Sequence, residues 1–180
     1  MNPAPTASAS APITVPINVI PATAPVETRS PARPILVLDT NVCLDLFVFR
    51  DRHTADLLQA LQQGTIQAIT RADCRDEWLA VLHYRHLALD DAQRASVAAE
   101  FDHYITCVAP LEDGTRLPVC TDKDDQKFLQ LARDAKAHYL LTKDKALLKL
   151  ARKTAKIGLF SILLPQAWNK LVSESSAASA

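Results

Sequence analysis

The chain has 180 residues, twenty Lys and Arg balanced by twenty Asp and Glu, and 48% apolar residues. That balance excludes a chain drawn as a whole to nucleic acid or to an anionic membrane, so any such contact must be local. No apolar run approaches the roughly 18–20 residues of a membrane span, and Cys43, Cys74, Cys107 and Cys120 form no Cys-x-x-Cys pair, which argues against a zinc knuckle or a redox motif and fits a reducing cytoplasm.

Eight of the eleven prolines fall at or before Pro34, interleaved with Ala, Ser and Thr. Too poor in aromatic and aliphatic side chains to offset the entropy of ordering, residues 1–33 read as a disordered arm. The arm has neither the basic start nor the unbroken apolar core of a signal peptide. Residues 34–172 then make one domain of ordinary size, and 173–180 a small, polar, flexible tail.

The domain opens with Ile35-Leu36-Val37-Leu38, ended abruptly by Asp39-Thr40-Asn41. Four consecutive aliphatic residues leave none for a solvated face, so the run is expected to be a strand buried on both sides. Val42–Phe49, apolar nearly all round, reads as a short packed helix, and Thr54–Gln63 as a second, with Leu57, Leu58 and Leu61 on one face and Gly64 at its C-terminal end. Ile66–Ile69 is a second strand, with Thr70 placed to cap a helix over about 71–83 that carries Cys74, Trp78 and Leu82 on one stripe and Glu77 beside it. A helix over about 90–104 leads to Cys107-Val108-Ala109, which Pro110 stops, and 111–119 is a connecting loop. Then come a helix around Phe128–Ala135, a strand at His138–Leu141, a helix around Ala146–Leu148, a strand at Leu159–Leu163 and a closing helix from Pro165 to Leu171. Strands alternating with helices imply an α/β fold, a three-layer α/β/α sandwich around a central parallel sheet.

Carboxylates recur beside the strand ends and on helices that could face them: Asp39, Glu77, the cluster Asp122/Asp124/Asp125, and Asp144. Gathered together they would repel one another and raise their own pKa values, an arrangement that a hard divalent cation neutralises. Oxygen-rich, histidine-poor surroundings suit Mg²⁺ or Mn²⁺, and such ions support phosphodiester cleavage without a nucleophilic side chain. Singly, each acid has a plainer role. Asp144 can cap the helix after it, Asp122, Asp124 and Asp125 can complement a helix N-terminus with Thr121 as cap, and Glu77 can be a solvated helix residue. Asp39, which ends a fully apolar strand, has few structural reasons to be there.

At these residues the chain resembles the PIN domain nucleases, over about 35–171. Val37-Leu38-Asp39-Thr40-Asn41-Val42 is similar to the family's opening signature. Glu77 matches its second acid, Asp125 its third, within Cys120-Thr121-Asp122-Lys123-Asp124-Asp125-Gln126-Lys127-Phe128-Leu129, and Asp144 its fourth, within Leu141-Thr142-Lys143-Asp144. The subgroup it most resembles holds the VapC-like toxins of bacterial toxin–antitoxin pairs. The resemblance implies a metal-dependent ribonuclease that is often dimeric and often held inactive by an antitoxin. It selects Asp125 over Asp124, which helical spacing alone leaves open. Two positions depart from the family: Lys143 stands where Gly is common, and Arg50-Asp51-Arg52-His53 where small residues are.

The expected site therefore has Asp39, Glu77, Asp125 and Asp144 as catalytic metal ligands, with Asp39 bridging, and Thr40, Asn41, Asp122, Asp124 and Thr142 supporting them. Arg71, Lys143 and Lys145 are the expected contacts to RNA phosphates, whereas Arg75 and Lys127 read as solvated helix residues. His83 and His86 lack a third ligand and read as surface residues; Leu57, Leu61 and the loop to His86 are a candidate dimer face. Two rivals remain. A catalytically silent PIN module could bind RNA or protein, and a phosphoaspartyl hydrolase would need Asp where the chain has Asn41.

Overall fold

Five parallel strands, β1 (Ile35–Leu38), β2 (Gln67–Thr70), β3 (Ile105–Cys107), β4 (Tyr139–Leu141) and β5 (Ser161–Leu163), make a single sheet in the order β3-β2-β1-β4-β5. The computed structural model describes residues 33–109 and 113–177. β1 is central, with Val37 in register with Ile69 on one side and Leu140 on the other. Because side chains alternate along a strand, Leu36 and Leu38 enter the core on one face while Val37 enters the core on the other. That is why an unbroken aliphatic run was required here.

Helices cover both faces, giving the expected three-layer sandwich. On the Leu36/Leu38 face pack α1 (Thr40–Cys43), the π-helical stretch Leu44–Phe49 that continues it, α2 (Ala55–Gln62) and α4 (Asp91–Tyr104), with Trp168 of α8 (Pro165–Ala177). Trp78 of α3 (Ala72–Val81) stacks on Phe101 with ring centroids 5.1 Å apart, and Phe47 meets both edge-on. The opposite face is filled by Phe128, Leu129, Leu131 and Ala132 of α5 (Gln126–Asp134), Leu147 of α6 (Lys145–Leu148) and Leu150, which precedes α7 (Ala151–Lys156).

Several expectations change. Ile105–Cys107 is a strand with no apolar pattern to announce it: at the sheet edge, Thr106 and Cys107 are both exposed. Thr70 ends β2 and does not cap α3; its hydroxyl bonds the Arg71 carbonyl, and Asp73 takes the Cys74 N–H instead. Leu57 and Leu61 are buried in the core, so they offer no face to a second copy. α8 remains helical to Ala177, past Ser173, where a tail was expected to begin. Of the arm expected at 1–33, residues 1–32 lie outside the described residues, as do loop residues 110–112.

Leu140 is fully buried in the middle of the sheet. Leu140→Ala is expected to cost about 2–5 kcal/mol in chemical denaturation, through lost transfer free energy and the cavity left behind.

Candidate active site

From β1 the chain moves to β2 and then β3 on one side of the sheet, and returns to β4 on the other. At such a reversal of strand order a crevice opens outside the carboxyl ends of the strands. Asp39 follows β1 there, its N–H bonded to the Leu141 carbonyl at 3.0 Å. Thr142 follows β4, its N–H bonded to the Leu163 carbonyl at 3.0 Å. Sheet hydrogen bonding thus carries two polar side chains to the same rim.

The Asp39 carboxylate is 4% exposed. Its Oδ2 accepts from the Thr142 hydroxyl and from Asn41 Nδ2, each at 2.5 Å. Burial raises its pKa more than these bonds and the Thr40 N–H lower it, with the Glu77 charge adding to the rise. Thr142, fully buried, gives its proton to Asp39 and accepts the Asp144 N–H at 2.8 Å. Asn41 closes the ring, its Oδ1 accepting the Lys143 N–H at 3.1 Å. Asn41 and Thr142 thus both donate to the Asp39 carboxylate.

Glu77 is aimed by its neighbour. Trp78 is 1% exposed and fixes the rotation of α3, which leaves Glu77 half-buried at the crevice, where Oε1 accepts the Thr40 hydroxyl at 2.6 Å. Asp125 stands at the N-terminus of α5 and makes no capping bond there. Burial, followed by the charges of Asp39, Asp122, Asp144 and Glu77, pushes its carboxyl up to about 7. All five acids therefore lie in one electrostatic field.

Some plainer roles hold too. Asp144 caps α6, Oδ1 accepting from Ala146 N at 2.6 Å and Leu147 N at 3.2 Å. Asp122 and Asp124 are exposed, and Asp122 Oδ1 takes the Asp124 N–H at 3.0 Å. Thr121 makes no cap for α5. Gln126, which the sequence did not single out, steadies this loop by accepting the Cys120 N–H at 2.7 Å and donating to the Pro118 carbonyl at 3.3 Å.

The cations depart most from expectation. Lys127 is no solvated helix residue: its ammonium pairs with Glu77 Oε2. Arg71, expected at RNA phosphates, is largely buried, forked across Asp73 at 2.7–2.9 Å and set 3.6 Å from Asp134. Lys143 pairs at 2.6 Å with Asp45, a buried residue of the π-helical stretch. Arg75 pairs with Asp102 at 2.6 Å. Lys145 is exposed and has no ion pair among the described residues, and His83 and His86 are exposed surface residues.

The match to the PIN domain family profile covers residues 35–146, from the first residue of β1 into α6. The chain belongs to the PIN domain family. No curated protein matches it. PIN domains are in general nucleases, hydrolases of nucleic acid phosphodiesters, and the matched span of this PIN domain contains all four acids expected to form its site. Among the described residues, no three His, Cys, Asp or Glu side chains already stand at cation-holding distances. No helix among them is long and apolar enough to cross a membrane.

An acid held above its unfolded pKa is more protonated folded than unfolded, so for Asp125 stability is lost as pH rises from 3.8 through about 7. Asp125→Asn removes that loss. In EDTA its melting temperature is expected to exceed that of the wild type, by a wider margin at pH 8 than at pH 5.

Proposed function

We propose that this PIN domain is a Mg²⁺- or Mn²⁺-dependent endoribonuclease. The observation that carries the reading is the acid field at the crevice: a carboxyl raised to about 7 by burial and by four neighbouring acids is an unfavourable arrangement that a hard dication relieves. The donor set fits such an ion. It is all oxygen, and Asp39, Glu77, Asp125 and Asp144 would hold the metal, with Asp122 and Asp124 at the rim. When bound, the ion supplies the Lewis acidity that activates water and offsets charge on the phosphodiester.

The chain's own residues then have separate tasks. Thr142 and Asn41 fix the plane of the Asp39 carboxylate, and Thr40 fixes that of Glu77. Because Thr142 also holds the Asp144 backbone, the first and fourth acids are set by a single hydroxyl. Lys127 neutralises Glu77 and must yield part of that contact to an ion. Lys145, next to Asp144 and without an ion pair among the described residues, would meet RNA phosphates, and Lys143 and Arg71 would join it on leaving Asp45 and Asp73. With Asn41 in place of a second Asp, an aspartyl-phosphate route has no support.

The same reading makes the chain the toxin of a toxin–antitoxin pair, cytoplasmic and homodimeric, supported by the motif from Cys120 to Leu129. Growth arrest on expression of the wild type, relieved in Asp39→Asn, tests the first point, and light scattering in solution the last.

Asp39→Asn is expected to reduce cleavage of single-stranded RNA in Mn²⁺ to background while its metal-free melting temperature stays at or above wild type. Thr142→Val keeps every acid and is expected to lose about 10–100-fold in activity or Mn²⁺ affinity. Full cleavage by Asp39→Asn contradicts the assignment. A wild type whose melting temperature Mn²⁺ does not raise points instead to a silent binding module.

A further inference from the structure

Beyond Asp144 the chain carries no acid until Glu174, but it carries Lys145, Lys149, Arg152, Lys153 and Lys156. Lys149 and Leu150, which join α6 to α7, keep right-handed helical backbone (φ −61°, ψ −21° and φ −88°, ψ −9°), so the two helices run on almost as one. At about 100° per residue, positions 145, 149, 152 and 156 fall within roughly 60° of one another, with 153 at their edge. The opposite side holds Leu147, Leu150 and Thr154, all buried. Packing of that apolar side against the sheet therefore turns all five cations to solvent, and all five are exposed.

Other cations near the crevice are already spent on partners: Arg71 on Asp73, Arg75 on Asp102, Lys127 on Glu77 and Lys143 on Asp45. Among the described residues, the five on α6 and α7 have no ion pair. Five like charges kept side by side on one helical face repel one another, so an unused stripe would be a standing electrostatic cost. It also starts at the site, since Asp144 is the N-cap of α6. Its further part, 149–156, lies beyond the span matched to the PIN domain.

We propose that this stripe is the track for the RNA backbone, carrying the strand away from the acid cluster past Lys149, Arg152 and Lys156. The proposal rests on the ribonuclease reading for its substrate. RNA fits better than an acidic protein because the stripe begins at Asp144, the N-cap of α6, and so is continuous with the acids of the proposed cleavage site. Contacts of this kind hold the backbone without reading sequence.

The test is binding of a fluorescent twenty-nucleotide single-stranded RNA in EDTA, where no metal-dependent cleavage occurs, followed by anisotropy across a salt series. The triple variant Lys149→Ala, Arg152→Ala, Lys156→Ala changes exposed positions to a good helix former, and its circular dichroism melt reports whether it stays folded. Expected is at least tenfold weaker binding at low salt. The slope of log affinity against log salt should fall by about 2, at roughly 0.7 per lost phosphate contact. Unchanged affinity and slope in a folded triple variant overturn the track. So does retained RNA binding with lost binding of polyglutamate, which assigns the stripe to an acidic protein. Binding through the stripe by a wild type that cuts no RNA in Mn²⁺ sustains the track and removes the nuclease reading alone.

Discussion

The bond between the Thr142 hydroxyl and the Asp39 carboxylate ties the site to the fold. It crosses from the end of β4 to the end of β1, the two strands between which the sheet order reverses, and both partners are buried. A hydroxyl has one proton to give, and this one gives it to Asp39 while accepting the Asp144 N–H. The charge of the first acid and the position of the fourth are thereby coupled through one oxygen. Such coupling tolerates little movement: a register slip of one residue in β4 would exchange Leu141 and Leu140 between the two core faces and remove Thr142 from Asp39.

The acids collect here at an electrostatic cost, and the chain offsets it unevenly. Glu77 has an ammonium from Lys127, and Asp45, buried nearby, has one from Lys143. Asp39 is given hydrogen bonds, and Asp125 neither a capping bond nor an ion pair. Its raised carboxyl is the place where the imbalance shows. In a structural cluster one would expect a cation beside the worst-placed acid; among the described residues no ion pair reaches Asp125.

Much of this was legible because periodicity and chemistry coincide along β1. An aliphatic run long enough for a strand and closed by Asp-Thr-Asn states both its burial and the location of its polar rim. Glu77 could be found from its place beside the Trp78 stripe. What stayed hidden depends on partners distant in sequence. Nothing near Lys127 announces Glu77 across the crevice, and nothing near Arg71 announces Asp134. β3 was missed since an edge strand of three residues with two exposed side chains has no pattern to read. The π-helical stretch escaped for a related reason. A helix apolar nearly all round gives no phase, so one extra residue per turn leaves no mark on the sequence, although the stretch carries the Asp45 that pairs with Lys143.

Lys143 shows how one departure from the family changes what its neighbours can do. Where the family commonly has Gly, this chain has a long cation, and its buried partner Asp45 holds it against the π-helical stretch at one side of the crevice. Removing Lys143 alone would leave the buried Asp45 carboxylate unpaired, whereas Lys143 itself is exposed. While the two are paired, Lys143 is restrained from reaching freely for a phosphate. Lys145 and the cations along α6 and α7 carry no such restraint. The division is physical: Lys127 and Lys143 pair with acids at the crevice, whereas the exposed cations along α6 and α7 have no ion pair among the described residues.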